Sequence, residues 1–212
     1  MHGEYLHSDF LSRIDSDTIN TIFEVGAREG NDSVALSKYY KNSQVYSFEC
    51  NPYTVNTCKE TVRGYSNIHF NDVGLGNLIE IRQFYPYLLG NTGASSFLKR
   101  VDYVETQTNV EDIKIDTIEN FCKNAGIYAI DLLCMDTQGY ELNILKGCGD
   151  DILSTIRHII LEEPRANAER KYLGSPSHTE IQTFLHERGF SETARVFENL
   201  LEDNVMYSRE LL

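Results

Sequence analysis

The sequence predicts an α/β protein with a doubly wound, mostly parallel sheet of seven strands, helices on both faces and a C-terminal antiparallel hairpin. Short β-rich runs alternate along the chain with helical segments, as in TIFEV (21–25) followed by DSVALSKYY (32–40). The most apolar run, AIDLLCM (129–135), is typical of a central strand that is buried on both faces. We expect one domain over residues 1–212, with residues 1–20 as a helical or irregular lead-in.

The first half of the chain contains three predicted parallel strands. They are expected at 21–25, 44–49 and 68–72, with helices at 32–40 and 51–62. Asn51 is the expected N-cap of the second helix, and Pro52 is its first-turn residue. Residues 80–85 alternate polar and apolar side chains like an edge strand or a hairpin arm. Residues 86–110, which include NTGASS, predict an irregular loop on the substrate side of a site.

The second half continues the alternation of strands and helices. Asp116 and Glu119 predict a capping box for a helix that ends near Gly126. Ser177 and Glu180 predict the same kind of start for a later helix. The remaining elements are strands at 129–135, 157–161, 192–197 and 205–208 and a helix at 137–147, and Pro164 is expected to end the strand at 157–161. The last two strands are expected to pair as a hairpin.

Charge and composition argue against several classes of function. A formal net charge of −13, from 19 basic and 32 acidic residues, repels a phosphate backbone, so nucleic acid is an unfavourable partner. No run approaches the ~20 apolar residues of a membrane span, and the first residues lack the apolar core of an export signal. The five cysteines have neither an even count nor metal-type spacing, which predicts free thiols, a cytoplasmic location and no zinc site. The acidity itself is typical of any well solvated surface.

Chemistry is expected at the carboxyl ends of the strands, where open α/β sheets bind their ligands. The first strand runs into EVGAREGN (24–31), in which Gly26 permits a tight turn and Gly30 a close backbone approach. Position 28 is Arg, so the loop lacks the three glycines of a pyrophosphate-binding fingerprint. Glu24 suits a cationic ligand such as the ammonium of a methionyl group in S-adenosylmethionine. The N–H groups of a loop that includes Ala27, Arg28 and Asn31 would meet the methionyl carboxylate, and a bare glycine turn is the alternative.

Polar residues also end the second and third strands. Glu49 stands about 20 residues beyond the glycine loop, the spacing at which an acid hydrogen-bonds ribose hydroxyls in nucleotide-binding sheets. Asn71 and Asp72 can accept from an adenine amino group, and Val73 can contact the ring. The alternatives are an exposed strand-end acid at position 49 and a plain turn after position 71.

Five blocks of the chain resemble the FkbM family of S-adenosylmethionine-dependent methyltransferases, and the resemblance covers nearly all of residues 23–207. The blocks are FEVGAREG (23–30), VYSFECNP (45–52), NDVGLGN (71–77), GASSFL (93–98) and IDLLCMDTQGYELNILKG (130–147). The resemblance implies a Rossmann-like class I methyltransferase fold, S-adenosylmethionine as cofactor, and O-methylation of a hydroxyl on a sugar, glycan or small natural product. The family more often has Asp, Lys and Glu where this chain has Glu24, Cys134 and Gln138.

On the acceptor side, the resemblance implies that Asp136, at the end of the fourth strand, lies near the transferred methyl group and acts as the base. An N-cap role for the following helix is an equal alternative. Glu162 and Glu163, expected just after the fifth strand, and His178 are the further candidates, although the two glutamates are as well explained by a solvated strand end. Asp136, Glu162 and His178 could instead gather a divalent cation such as Mg²⁺, as an alternative to a metal-free site. The expected cofactor contacts also include Asp136, Cys50, Asn51, Thr137 and Gln138.

Two other functions fit parts of the pattern. The spacing of Glu49 is compatible with an NAD(P)-dependent oxidoreductase on a similar sheet, although the missing glycine argues against it. Cys134 and Gln138 also allow a non-catalytic module that binds S-adenosylmethionine or a partner. Acceptor specificity is expected in segments 86–110 and 165–177, and the sequence leaves the acceptor and the oligomeric state open.

Overall fold

The computed structural model describes residues 4–87, 92–102 and 109–210. Its strands are β1 (Thr21–Val25), β2 (Gln44–Phe48), β3 (Ile68–Asn71), β4 (Gly74–Leu75), β5 (Glu80–Phe84), β6 (Glu111–Asp116), β7 (Leu132–Met135), β8 (His158–Pro164), β9 (Ser191–Phe197) and β10 (Glu202–Ser208). Its α-helices are α1 (Ser8–Leu11), α2 (Asn31–Tyr39), α3 (Val55–Val62), α4 (Ile118–Ala125), α5 (Glu141–Lys146), α6 (Gly149–Leu153) and α7 (His178–His186). Of the expected substrate-side loop 86–110, residues 88–91 and 103–108 lie outside the described part.

The large sheet has seven strands within the described residues, in the order β3-β2-β1-β7-β8-β10-β9. Strands β3, β2, β1, β7 and β8 are parallel, whereas β10 is antiparallel to both β8 and β9. The predicted doubly wound sheet with a C-terminal antiparallel hairpin is therefore confirmed. The chain leaves β1 toward β2 on one side and returns to β7 on the other, so the order of strands reverses between β1 and β7. Ligands of such sheets bind at this reversal.

The central strands are apolar on both sides, which is why helices cover both faces of the sheet. In β1, Phe23 and Val25 belong to the core under α4 to α7, whereas Ile22 belongs to the core under α1 to α3. Strand β7 is buried at all four positions, with Leu133 facing the first core and Leu132 facing the second. This two-sided burial is the property that the run 129–135 predicts, although the strand itself is shorter.

A second sheet of three strands, in the order β4-β6-β5, packs beside the first. The predicted strand at 80–85 is confirmed as β5, and its partner is β6 in antiparallel register. Strand β6 was not expected from the sequence, because its alternating polar residues directly precede a helix start. Its last residue, Asp116, pairs with Leu75 of β4.

Several helix and strand boundaries differ from those predicted, and three of these differences have a local structural cause. Helix α3 begins at Val55, because Asn51 Oδ1 accepts from Tyr53 N at 3.0 Å and closes a turn before the helix. Helix α4 is capped by Thr117 rather than by a box of Asp116 and Glu119, since Thr117 Oγ1 accepts from Asn120 N at 3.1 Å. Strand β8 continues through Pro164, so that Glu162 and Glu163 lie inside the strand and pair with Asn204 and Asp203 of β10.

Other local predictions are confirmed. Ser177 and Glu180 form a complete capping box at the start of α7, and Gly126 ends α4 in the left-handed conformation. All five cysteines are free thiols. Among the described helices, none combines the length and the apolar composition that crossing a bilayer requires.

Gly26 joins the loop after β1 to the loop after β7. It has a φ of +90°, and a Cβ atom at this position would lie 2.1 Å from the backbone oxygen of Asp136. No side chain fits between two backbones at that distance, so the two loops can touch only because position 26 is glycine.

We therefore expect Gly26→Ala to lower the free energy of unfolding by at least about 2 kcal/mol, because the alanine is strained at positive φ and collides with Asp136. Urea denaturation measures the change. Gly64→Ala is the matched control, since nothing lies within 4 Å of a Cβ there. Equal stability of the two variants would contradict the close approach.

Candidate functional site

A cleft opens at the carboxyl ends of β1, β2 and β7. It holds about 610 Å³ of empty space, including the part that is open to solvent. Its lining combines polar and apolar residues; the polar ones include Glu49, Asn51, Ser95, Asp136 and Thr137, and the apolar ones include Val73, Leu75, Phe84 and Phe97. The cleft therefore lies at the strand-order reversal, as expected for a ligand site in this fold.

Glu49 ties together the loops on both sides of this cleft. Its Oε2 accepts from Arg28 N and its Oε1 accepts from Asn51 N, each at 2.6 Å. Burial raises the pKa of Glu49 to about 7, against the opposing effect of these N–H donors. Hydrogen bonds from the Thr54 side chain and the Cys50 backbone also lower this pKa, and the carboxyl group lines the cleft. The alternative of an exposed strand-end acid is wrong, because only 7% of Glu49 is exposed.

A second cleft lies on the α2 side of the same loop. Ala27 and Asn31 line it together with Tyr5 and Leu6 of the N-terminal segment. Gly26, Arg28 and Asp136 line both clefts. Both clefts therefore border the turn after β1 and the end of β7.

The structure corrects the expected position of Glu24. Its side chain points away from both clefts toward α2, only 1% of the residue is exposed, and its carboxyl group accepts from Ser33 Oγ. Ser47 Oγ lies 3.4 Å from the same oxygen. Alternation along β1 explains this direction, because Phe23 and Val25 occupy the face on which the first cleft opens. Glu24 supports the loop from beneath instead of contacting a ligand.

Three more expected contact residues lie outside the walls of both clefts. Asn71 Nδ2 donates to the backbone oxygen of His69 at 2.8 Å, which favours the turn interpretation of this segment. Asp72 is exposed, whereas its neighbour Val73 and also Cys50 line the first cleft. Gly30 is the left-handed N-cap residue of α2.

Gln138 joins two carboxyl groups at the end of β7. Its Nε2 donates to Asp136 Oδ1 at 2.7 Å and to Glu162 Oε2 at 2.8 Å. Gln138 therefore bridges the carboxyl groups of the fourth and fifth parallel strands instead of lining the first cleft.

Asp136 is not the N-cap of α5, so that alternative is wrong. Glu141 satisfies the turn before the helix, since its Oε1 accepts from Thr137 N at 2.8 Å and from Thr137 Oγ1 at 2.9 Å. The carboxyl group of Asp136 therefore does not cap the helix; it contacts Gln138 and lines the first cleft.

The two bridged carboxyl groups have different proton affinities. Burial raises the pKa of Asp136 to about 6, and donation by Gln138 opposes the rise. Burial, followed by the negative charge of Asp136, raises the pKa of Glu162 to about 11. Burial and mutual repulsion therefore disfavour two negative charges in this pair, and they disfavour the ionised form of Glu162 more strongly.

Glu163 and His178 belong to a different cluster on the opposite face of β8. Glu163 is fully buried, and its carboxylate contacts His178 Nδ1 at 2.7 Å, Arg195 Nη2 at 2.6 Å and Tyr207 Oη at 2.7 Å. Strand alternation separates Glu163 from Glu162, which corrects the expectation that both face the site. His178 likewise does not join Asp136 and Glu162 in a cation site. Among the described residues, no group of three or more His, Cys, Asp or Glu side chains is arranged to hold a metal ion.

Several contacts at the site were not anticipated from the sequence. Ser95 Oγ accepts from Asn51 Nδ2 at 3.2 Å, and Arg28 Nε donates to Thr92 Oγ1 at 3.3 Å, so the segment 92–96 covers the first cleft. Tyr172 donates to Gln138 Oε1 at 2.7 Å. The only sequence signals were the block GASSFL and the position of Tyr172 in the segment 165–177.

Comparisons with known proteins identify the family of the chain and proteins that share its fold. The sequence profile of a family described as "Methyltransferase FkbM domain" matches residues 24–192. A curated relative, 2-O-methyltransferase NoeI of Sinorhizobium fredii (strain NBRC 101917 / NGR234), is 22% identical over 152 residues, which are 66% of this chain and 62% of the relative. The match thus spans less than two thirds of the relative's length.

Two solved structures show the same fold. The fibrillarin pre-rRNA processing protein of Methanococcus jannaschii has a TM-score of 0.54 at 12% identity, covering 91% of this chain and 67% of that one. TrmK of M. capricolum, solved in complex with the cofactor product S-adenosyl-homocysteine, has a TM-score of 0.50 at 11% identity, covering 92% of this chain and 66% of that one.

The buried acids predict an unusual dependence of stability on pH. Burial raises the pKa of Glu24 to about 8, so the folded chain binds more protons than the unfolded chain between about pH 4.5 and 8. The free energy of unfolding should therefore fall as pH rises through this window. We expect Glu24→Gln to reduce the decline by about 1 kcal/mol per pH unit, measured by urea denaturation at several pH values.

Glu60→Gln makes the same change on an exposed face of α3 and should leave the slope unaltered. A Glu24→Gln protein whose pH dependence matches that of the original chain would refute the buried acid as its source.

Proposed function

We propose that this chain, which belongs to the FkbM methyltransferase domain family, transfers a methyl group from S-adenosylmethionine to a hydroxyl oxygen of a sugar, a glycan or a small natural product. The observation that carries the proposal is the cleft at the strand-order reversal, whose lining combines the Glu49 carboxyl group with apolar side chains. The family match supports methyl transfer. The choice of oxygen as the acceptor atom rests on the distant relative, which is a 2-O-methyltransferase.

The residues of the first cleft fit an adenosyl group. A diol needs acceptors, and the Glu49 carboxyl group, which lines the cleft beside Cys50 and Asn51, provides them. An aromatic base needs an apolar slot, and Val73, Leu75 and Phe97 line one. In this proposal, Glu49 holds the ribose and these apolar side chains hold the adenine.

The methionyl group needs acceptors for its ammonium and donors for its carboxylate. The N–H groups of Gly26 and Ala27 already donate to Phe48 O, and that of Arg28 donates to Glu49. The first turn of α2 begins at Asn31, which lines the second cleft, and the N–H groups of a helix N-terminus favour an anionic ligand group. In this proposal, these groups take the carboxylate, and the Asp136 carboxylate faces the cationic end of the ligand.

When bound, S-adenosylmethionine supplies an activated methyl group: the acceptor oxygen bonds the methyl carbon, the C–S bond breaks, and its electron pair stays on sulfur. The chain has to hold the acceptor in line and take its proton. Asp136 is the proposed base, because it lies where both clefts meet and remains ionised near neutral pH.

The acceptor side is polar, which supports a polyhydroxylated acceptor. A third cavity adjoins Glu162 and is bordered by the segment 165–177; its lining includes Glu141, Lys171, Tyr172, Ser175 and Glu202. Carboxylates, hydroxyls and an ammonium group offer many hydrogen bonds to a sugar. The net charge of −13 argues against a nucleic-acid acceptor.

We expect Glu49→Ala to weaken the binding of S-adenosylhomocysteine at least tenfold, because each lost hydrogen bond to a charged acceptor contributes about 1.5–3 kcal/mol. Titration calorimetry measures the affinity. Glu60→Ala removes an acid from an exposed helix face and should bind as the original chain does. Unchanged affinity in Glu49→Ala would rule out the proposed ribose contact.

We also expect S-adenosylhomocysteine, and not NAD, to raise the thermal unfolding temperature of the chain. Stabilisation by NAD instead would support the oxidoreductase alternative. Transfer of label from methyl-labelled S-adenosylmethionine to a panel of sugars and glycans then tests turnover. Tight cofactor binding with no transfer to any hydroxylated acceptor would favour the non-catalytic module.

A further inference from the structure

The amide of Gln138 is held between two acids in one orientation. Gln138 lies in the turn after β7 and has a φ of +55°, in the left-handed region. Both N–H bonds of its Nε2 are used, one toward Asp136 and one toward Glu162. A rotated amide would bring Oε1 against two carboxyl oxygens, so the donor side must face them.

Two further contacts hold Gln138, one at the opposite end of its amide and one at its backbone. Tyr172 donates to Gln138 Oε1 at 2.7 Å, and Ser96 Oγ donates to the backbone oxygen of Gln138 at 2.9 Å. Both Tyr172 and Ser96 are buried. Tyr172 therefore anchors the amide, and Ser96 anchors the backbone of the same residue.

The charges around the pair favour a single shared negative charge. Glu162 faces Asp136, Glu202 and Glu141, all of which disfavour its ionisation, and Lys171 opposes them only in part because it is paired with Glu202. Asp136 is also close to Glu202, Glu198 and Lys171, but unlike Glu162 it borders the first two clefts. Arg100 faces Tyr172 from the far side and does not reach the carboxyl groups directly.

We propose that Gln138 is a positioning residue: by donating to both carboxyl groups at once, it holds Asp136 and Glu162 as one pair that carries a single negative charge, with Asp136, which borders the first two clefts, as the ionised member. The assignment of a base rests on the proposed function, whereas the distribution of the proton does not. Protonated Glu162 still offers its carbonyl oxygen to Gln138, so both hydrogen bonds persist with one negative charge in the pair.

The arrangement also selects the oxygen that reacts. Oδ1 of Asp136 accepts from Gln138 Nε2, which leaves Oδ2 for the acceptor hydroxyl. As the new O–C bond forms, the hydroxyl proton moves to Oδ2, and Asp136 becomes a neutral carboxylic acid that later releases the proton to water. Glu162 keeps its own proton throughout.

The test is a carboxyl titration of the full chain without cofactor, by ¹³C NMR of protein labelled at the side-chain carboxyl carbons of Asp and Glu. Asp136→Asn and Glu162→Gln assign the two signals. In the original chain, we expect Asp136 to titrate near pH 6 and Glu162 to remain protonated above pH 8. In Glu162→Gln, the midpoint of Asp136 should move by less than about half a unit, because a neutral group replaces a neutral group.

Gln138→Leu should raise the midpoint of Asp136 by about one to two pH units, because a hydrogen bond to the charged form is lost. Tyr172→Phe removes the donor to the amide, together with the contact of Tyr172 Oη with Ala94 O; it should raise the midpoint less, and it serves if Gln138→Leu does not fold. Gln83→Leu is the matched control on the exposed face of β5 and should change neither midpoint.

Two results would overturn the proposal: a Glu162 that ionises before Asp136, or an Asp136 midpoint that Gln138→Leu and Tyr172→Phe both leave in place. Because no cofactor or acceptor is present in this titration, its failure is separate from a failure of S-adenosylhomocysteine binding. Once an acceptor is known, the acidic limb of the pH profile for kcat/KM should shift with the Asp136 midpoint in Gln138→Leu.

Discussion

The contact between two backbones at the centre of the sheet is the constraint on which the site depends. Because β1 and β7 are adjacent and parallel, the loops that leave them emerge side by side, and Gly26 lets the first loop touch the carbonyl of Asp136. That contact separates the space above the sheet into two clefts that share Asp136. Glu49 then holds the first loop from its other side through the N–H of Arg28. The geometry of the chemistry thus follows from strand order and one missing Cβ atom.

A second feature of the site is electrostatic: several buried acids lie near the point where the strand order reverses. Burial raises the pKa of Glu24, Glu49, Asp136, Glu141 and Glu162. The folded chain tolerates these groups because hydroxyl, amide and backbone N–H donors surround them. Of these acids, Glu49 and Asp136 line the first cleft, whereas Glu24 supports the loop after β1 from beneath.

The fold was largely predictable from the sequence, and the site was only partly so. Strand β7 and the capping box of α7 were predictable because they depend on local composition. The direction of Glu24 was not, because strand alternation gives two faces without saying which one meets a ligand. The same ambiguity hid the separation of Glu162 from Glu163. Tyr172 lies 34 positions from Gln138, and no local pattern indicates a hydrogen bond over that distance.

The antiparallel pairing of β8 with β10 has a consequence for how this scaffold can diversify. Loss or gain of one residue within β8 would exchange the roles of Glu162 and Glu163, moving a buried ion pair into the site and the site's acid into the ion-pair network. The chain beyond Pro164 is constrained at Tyr172, which contacts Gln138 and forms a bridge with Arg100, but otherwise crosses the rim of the site as mostly irregular backbone. New specificities can therefore arise by lengthening or shortening that rim, while the length of the strand beneath it has to be conserved.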